Sequence, residues 1–255
     1  MSVVRGGTID NIKFPRSNTE STRDIIGSRP EVYRISRGGE VTWHGPGQLV
    51  AYPLLNLAHP WHKKDLRWYV HQLEETVIQT LAKVGILGER SCVNPGVWVG
   101  RRKIAAIGIS SSRWITMHGI ALNISCDLSM YETIIPCGIL PAQGGVTSIN
   151  EELSRRRSLS LSLAQENDTG CSGSMLDPAL ALEGGTEMEV ISGHFRSAFS
   201  EVFNVEYECI SDSRDDDSSD RGDDKGKSRR YSLETLLNSS SQNSVDRDVL
   251  LPLEY

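Results

Sequence analysis

Gly96-Val97-Trp98-Val99-Gly100-Arg101-Arg102-Lys103-Ile104-Ala105-Ala106-Ile107-Gly108 is the stretch on which the fold turns. Residues 97–99 and 103–109 are rich in Val, Ile and aromatic side chains, as strands are, and Gly100-Arg101-Arg102 between them is a turn. The stretch therefore predicts an antiparallel hairpin. Working outward, residues 31–36, 48–56 and 114–125 have the same character and predict three more strands. Leu66, Val70, Leu73, Val77, Leu81 and Val84 step by three and four, so 63–84 predicts an amphipathic helix with Gly85 as its C-cap. Met188, Ile191, Phe195, Phe199 and Val202 predict a second helix over 188–203, followed by a strand over 205–210. Hairpin-connected strands with few helices predict an α+β domain, a mixed or antiparallel sheet with packed helices.

The chain has 255 residues, one domain of ordinary size or two small ones. Apolar residues make up 38%, fewer than a uniformly compact chain carries. The dilution is concentrated late: residues 211–230 contain only Asp, Arg, Lys, Ser and Gly, which have nothing to bury against their ordering entropy. The expectation is a domain over 1–210 and a disordered tail over 211–255, with Leu236, Leu237, Leu250 and Leu251 leaving room for a docked terminal element. Residues 151–187 (RRRS, QENDTG, CSGS, EGGTE) predict a low-complexity loop or insertion, in which Leu159, Leu161 and Leu163 alternate with Ser as a short strand would. A net charge of −6 argues against a nucleic-acid partner. No run approaches the ~18 apolar residues of a membrane span, so no membrane partner is expected. The N-terminal residues lack the apolar core of a secretory signal and the pattern of an amphipathic transit peptide. Five cysteines without a CxxC pair argue against a disulfide scaffold and a structural zinc site; no metal is expected.

Three places can carry chemistry. RGGEVTWHGPGQ, residues 37–48, interleaves Arg37, Thr42, His44 and Gln48 with four glycines and a proline. Such a loop suits gripping an acyl carbonyl or carboxylate, and suits a plain hairpin turn equally. Lys103 opens an apolar strand: turned inward it must find a partner or lose its charge, and turned outward it is a solvated turn residue like Arg101 and Arg102. Cys137, between Pro136 and Gly138, sits on a constrained turn where a thiol can be reached; its ordinary pKa near ~8.5 demands a nearby cation or base for nucleophilic work. Its bland reading is an inert small residue. His118, Gly119 and Asn123 precede it on one strand and could line the same pocket, or serve ordinary hairpin bonding.

In this order, RGGEVTWHGPGQ, GVWVGRRKIAAIG, HGIALNISCDL, IPCGI and GGVTSI closely resemble the successive motifs of the octanoyltransferases that begin lipoyl cofactor assembly, the LipB family. The resemblance covers about residues 5–150 and resumes weakly at 188–208. It implies the α+β fold shared with lipoate and biotin protein ligases. It implies transfer of an octanoyl group from acyl carrier protein to a lysine on lipoyl domains of 2-oxoacid dehydrogenase complexes and the glycine-cleavage H protein. Cys137 would carry the acyl thioester and Lys103 would lower its pKa. The substrate-binding segments would be Arg37, Gly38, Gly39, Glu40, Val41, Thr42, Trp43 and His44; Ala106, Ile107 and Gly108; and Gly119, Ile120 and Ala121. No cofactor and no ATP is implied. The pathway implies a mitochondrion, with plastid or cytoplasm as alternatives.

Three features depart from the family pattern. The family pattern has a helix and a strand before the segment matching Val4-Arg5-Gly6-Gly7, so the resemblance predicts a missing N-terminal portion; Trp43 stands where a Tyr or Phe is common, and 151–187 and 211–255 fall outside the pattern. The rival readings are an ATP-dependent lipoate or biotin ligase, which needs no cysteine, and a truncated inactive homologue. A papain-like hydrolase lacks its signature around Cys137.

Overall fold

The computed structural model describes residues 2–4, 33–35, 37–134, 144–166, 187–206 and 250–253. Two short strands, β1 (Ser2–Val4) and β2 (Tyr33–Ile35), pair in parallel. The main sheet is built from β3 (Gln48–Pro53), β4 (Glu89–Arg90), β5 (Gly96–Val99), β6 (Arg102–Ser112), β7 (Ile115–Asn123) and β8 (Leu250–Leu253). Its order is β4-β5-β6-β7-β3-β8, and every pairing is antiparallel. The hairpin at 96–108 forms as predicted, with its turn at Gly100-Arg101, and a second hairpin joins β6 to β7.

Helix α1 (Leu66–Lys83) starts where the Asp65 side chain accepts hydrogen bonds from the amides of Arg67 and Trp68. It ends at Val84, with Gly85 following at φ 73°, the left-handed position that stops a helix. Tyr69, Leu73, Val77 and Leu81, four apart, are fully buried. They meet Ile191, Phe195, Phe199 and Phe203 of α3 (Glu187–Phe203) and the sheet residues Leu49, Ala51, Ile104, Ala105, Ile120 and Leu122. The rings of Phe199 and Phe203 stack with centroids 4.4 Å apart. A smaller cluster joins Val41, Trp43, Cys126, Tyr131 and Ile134, next to the 3₁₀ helix Leu128–Thr133.

Two expectations change. Residues 151–166 are not loop or strand but most of helix α2 (Ile149–Glu166). The overlooked signal is Ser148-Ile149-Asn150-Glu151, a capping-box pattern; the Ser148 hydroxyl accepts from the Glu151 amide. Ile149 and Leu153 bury one face, Arg155 pairs with Glu151 one turn away, and Arg102 pairs with Glu152 through two 2.8 Å bonds. The tail also contributes a strand, for Leu250–Leu253 pairs with Val50–Pro53 at the sheet edge. Residues 205–206 are not in a strand, and 207–210, 167–186 and 211–249 lie outside the described residues. Among the described residues no helix is long and apolar enough to cross a membrane.

Candidate active site

Sheet parity decides where Lys103 faces. Val97 pairs with Ala105 and Trp98 with Lys103, so one step on β5 matches two on β6. Ile104 is the extra residue of a β-bulge. In a regular ladder Lys103 and Ala105 would share a face. Here Ala105 and Ile104 belong to the helix-side core, while Lys103 shares the opposite face with its cross-strand partner Trp98. Lys103 is 4% exposed. Its ammonium donates to Asn94 Oδ1 at 2.8 Å and lies 5.3 Å from the Trp98 ring centroid. An amide oxygen and an indole face are both partners that can receive a buried ammonium. Lys103 is thus the inward lysine, with its partners found.

The neighbourhood is shaped for it. A Cβ on Gly96 would come within 2.5 Å of Lys103 Cε, so only glycine leaves room for the lysine stem. Glu74, buried on α1, accepts from the Gly96 amide at 3.0 Å and pairs with Arg90 at 3.4 Å. It anchors the end of the Asn94-Pro95-Gly96 turn that supplies the lysine's acceptor. Neither Glu74 nor Asn94 was expected from sequence; the signal was a carboxylate beside Leu73 on the apolar face of α1. On the other side, the Lys103 amide donates to Gly145 O and the Thr147 amide donates to Lys103 O, which clips 145–147 along β6. Cys137 lies in 135–143, outside the described residues; the described chain resumes at Gly144, next to this clip.

A cavity opens beside β6 and β7. Ala106 faces Ala121 and Gly108 faces Gly119 across the two strands, and all four line it. A larger residue is excluded at both glycines by backbone: a Cβ on Gly108 would lie 2.9 Å from Gly38 O, and one on Gly119 2.4 Å from Ala51 O. Ile107 and Ile120, paired between them, border it while their side chains pack into the helix-side core, and Arg37, Thr42 and His44 supply polar groups. Nine of the sequence-derived binding residues therefore converge. Tyr52 joins them and was not foreseen. Val41 and Trp43 instead pack in the smaller core, the Trp43 ring edge-on to Tyr131. Gly38, Gly39 and Glu40 form the outer bend: the Gly38 amide donates to Ile109 O, and the Arg37 guanidinium donates to the carbonyls of Gly38 and Glu40.

Burial holds His44 below the ordinary imidazole range, against the opposing pull of its hydrogen bond to Gln48. His118, at φ 62° on β7, is lowered by burial and by Arg37. Burial pushes the Cys126 thiol up to about 12, so it stays protonated at neutral pH and serves as core. Cys92 is exposed. Among the described residues no three His, Cys, Asp or Glu side chains converge as a metal set.

The family model described as the lipoyl protein ligase A/B catalytic domain matches residues 21–164. The chain belongs to this lipoyl protein ligase A/B family. Within the family it is similar to octanoyltransferases. It is 51% identical over 135 residues to that of Nostoc punctiforme, covering 53% of this chain and 54% of the relative. It is 58% identical over 116 residues to that of Thermosynechococcus vestitus (46% and 50%), and 52% identical over 148 residues to that of Caldanaerobacter subterraneus (58% and 60%). The chain thus spans about half the length of the curated relatives it matches. A crystal structure of lipoate-protein ligase A bound with ATP has the same fold, with a TM-score of 0.50 at 11% identity over 81% of this chain and 70% of that one. The lipoate ligase-like α+β architecture expected from the motifs is the one observed.

Proposed function

We propose that this chain is an acyltransferase of lipoate biosynthesis that moves an octanoyl group from the thioester of acyl carrier protein to a lysine amine on a lipoyl domain. The observation that carries the reading is Lys103: a buried ammonium, held by Asn94 and Trp98, on the sheet face that also presents Ala106. Its charge would stabilise a thiolate at Cys137, which then takes the acyl group by thioester exchange. That exchange is nearly balanced in energy and calls for no nucleotide. The paired small residues leave a slot for an unbranched chain, each buried methylene of which is worth about 0.8 kcal/mol. The acceptor amine then attacks the acyl thioester, forming the amide and releasing the thiolate. The acceptors in this reading are lipoyl domains of 2-oxoacid dehydrogenase complexes and the glycine-cleavage H protein. The compartment proposed on the pathway alone is the mitochondrion, with plastid or cytoplasm as alternatives.

The test is intact mass after incubation with octanoyl-carrier protein and no ATP. The expected result is one added octanoyl group, absent from Cys137→Ala and present in Cys92→Ala and Cys126→Ala. An adduct that persists in Cys137→Ala, or acyl transfer that requires ATP, would refute the reading.

A further inference from the structure

The backbone of Asn94 is fixed at both of its polar groups. Its amide donates to the Ser91 hydroxyl at 3.2 Å, and its carbonyl accepts from the Trp98 indole N–H at 3.2 Å. The same Trp98 turns its ring to Lys103 Nζ, 5.3 Å from the centroid, while Asn94 Oδ1 lies 2.8 Å from Nζ. Two residues on, the Gly96 amide is tied to the buried Glu74. Gly96 leaves room for the lysine stem, and Asn94 meets its tip.

Lysines are seldom buried unless a charge is paired with them. Here the carboxylates of the neighbouring elements are held by arginines. Arg90 of β4 bridges Glu74 and Glu75 of α1, and Arg102, beside Lys103, holds Glu152 of α2 through two bonds. Arg101, at the turn, is exposed. The acceptor that meets Nζ is a neutral amide. A carboxylate in its place would attract the cation and keep the proton on Nζ. A hydrocarbon would leave the ammonium without an acceptor. An amide oxygen accepts an N–H from an ammonium and from a free amine alike, because the amine keeps two hydrogens. The bond weakens when the charge leaves, but its direction is unchanged.

We propose that Asn94 is a positioning residue, a neutral tether that keeps Lys103 Nζ in one place in both protonation states and leaves the lysine free to exchange its proton. This rests on the acyl-transfer reading above, in which Lys103 acts through its charge. The tether works whichever state predominates at neutral pH. Because Ser91 and Trp98 fix the Asn94 backbone, the side chain is already aimed before the lysine changes state.

The full chain labelled with 13C and 15N in its lysines tests the tether without substituting Asn94. Nζ is correlated through the Cε methylene, a signal that survives exchange of the ammonium hydrogens. Lys103 is assigned by the signal missing from Lys103→Met. Its two Hε shifts are expected to stay distinct on both sides of the Nζ titration. A pair that merges once the proton leaves, or an Nζ that stays charged at every pH where the chain is folded, overturns the proposal. Asn94→Asp then places a carboxylate of nearly the same shape at Nζ. The Lys103 titration is expected to rise at least tenfold in proton affinity. The matching limb of single-turnover acyl transfer to a lipoyl domain should move upward with it. Asn94→Leu removes the acceptor: the titration should fall by a similar factor, and the Hε pair should merge. A titration that ignores both substitutions refutes the tether. A transfer profile that stays in place while the titration moves denies Asn94 its part in the reaction. If Asn94→Asp does not fold, Asn94→Leu decides both points. If the unaltered chain transfers no acyl group at any pH, the acyl-transfer reading fails, and the lysine resonances still decide the tether.

Discussion

Ala106→Val should change which acyl chain the cavity accepts. Ala106 sits opposite Ala121 on the cavity floor, two register steps from Gly108 and Gly119 and so on the same face. Valine adds two carbons there and displaces about two methylenes of a bound chain, a loss of about 1.6 kcal/mol at ~0.8 kcal/mol per methylene. At 1.36 kcal/mol per tenfold, kcat/KM for octanoyl-carrier protein should fall by roughly 15-fold. Hexanoyl-carrier protein, two methylenes shorter, should be turned over nearly as before. The assay is the ratio of the two kcat/KM values, with a thermal melt alongside. Ala106 is half-buried at the cavity, so the melt should barely move. An equal fall for both chains, or no fall for either, would refute the placement of the acyl chain over these small residues.

Lys103→Met should raise the pH at which Cys137 reacts with a small alkylating agent, whose thiol otherwise ionises near ~8.5. Because methionine leaves Asn94 Oδ1 without its donor, the melt should fall by the equivalent of about 1–2 kcal/mol; an unchanged alkylation profile would withdraw the lysine's role. Gly119→Ala should destabilise by about 1–3 kcal/mol in chemical denaturation, since its Cβ meets the Ala51 carbonyl oxygen and Pro53 of β3, neither of which can swing aside; an unaffected midpoint would show that the strands separate freely there. Deleting 250–255 should leave the core folded but bare the Val50–Pro53 edge, giving concentration-dependent association by light scattering. A monomer at all concentrations would deny β8 that covering role.

Much was legible in the chain itself because the relevant physics is local. Apolar spacing marked α1 and α3, and the Gly100-Arg101 turn marked the hairpin, since periodicity and turn chemistry act within a few residues. Helix α2 was equally local, yet its Ser148–Glu151 cap was hidden by the polar run that follows it. The motif residues foretold most of the cavity, because glycine and alanine are needed wherever another backbone approaches a strand. Other features arise only when distant segments meet. The bulge at Ile104 turns Lys103 away from the helix-side core, and a one-residue change of register is invisible to a strand read alone. Val41 and Trp43, inside a binding motif, pack into core because Cys126 and Tyr131 come to them from the far side of β7. His44 bonds to Gln48, whose own partners Asn123 and Tyr131 lie 75 and 83 residues further along the chain. Sequence determined which groups could take part; tertiary structure decided which way each one faces, because hydrogen-bond direction and strand parity are properties of pairs.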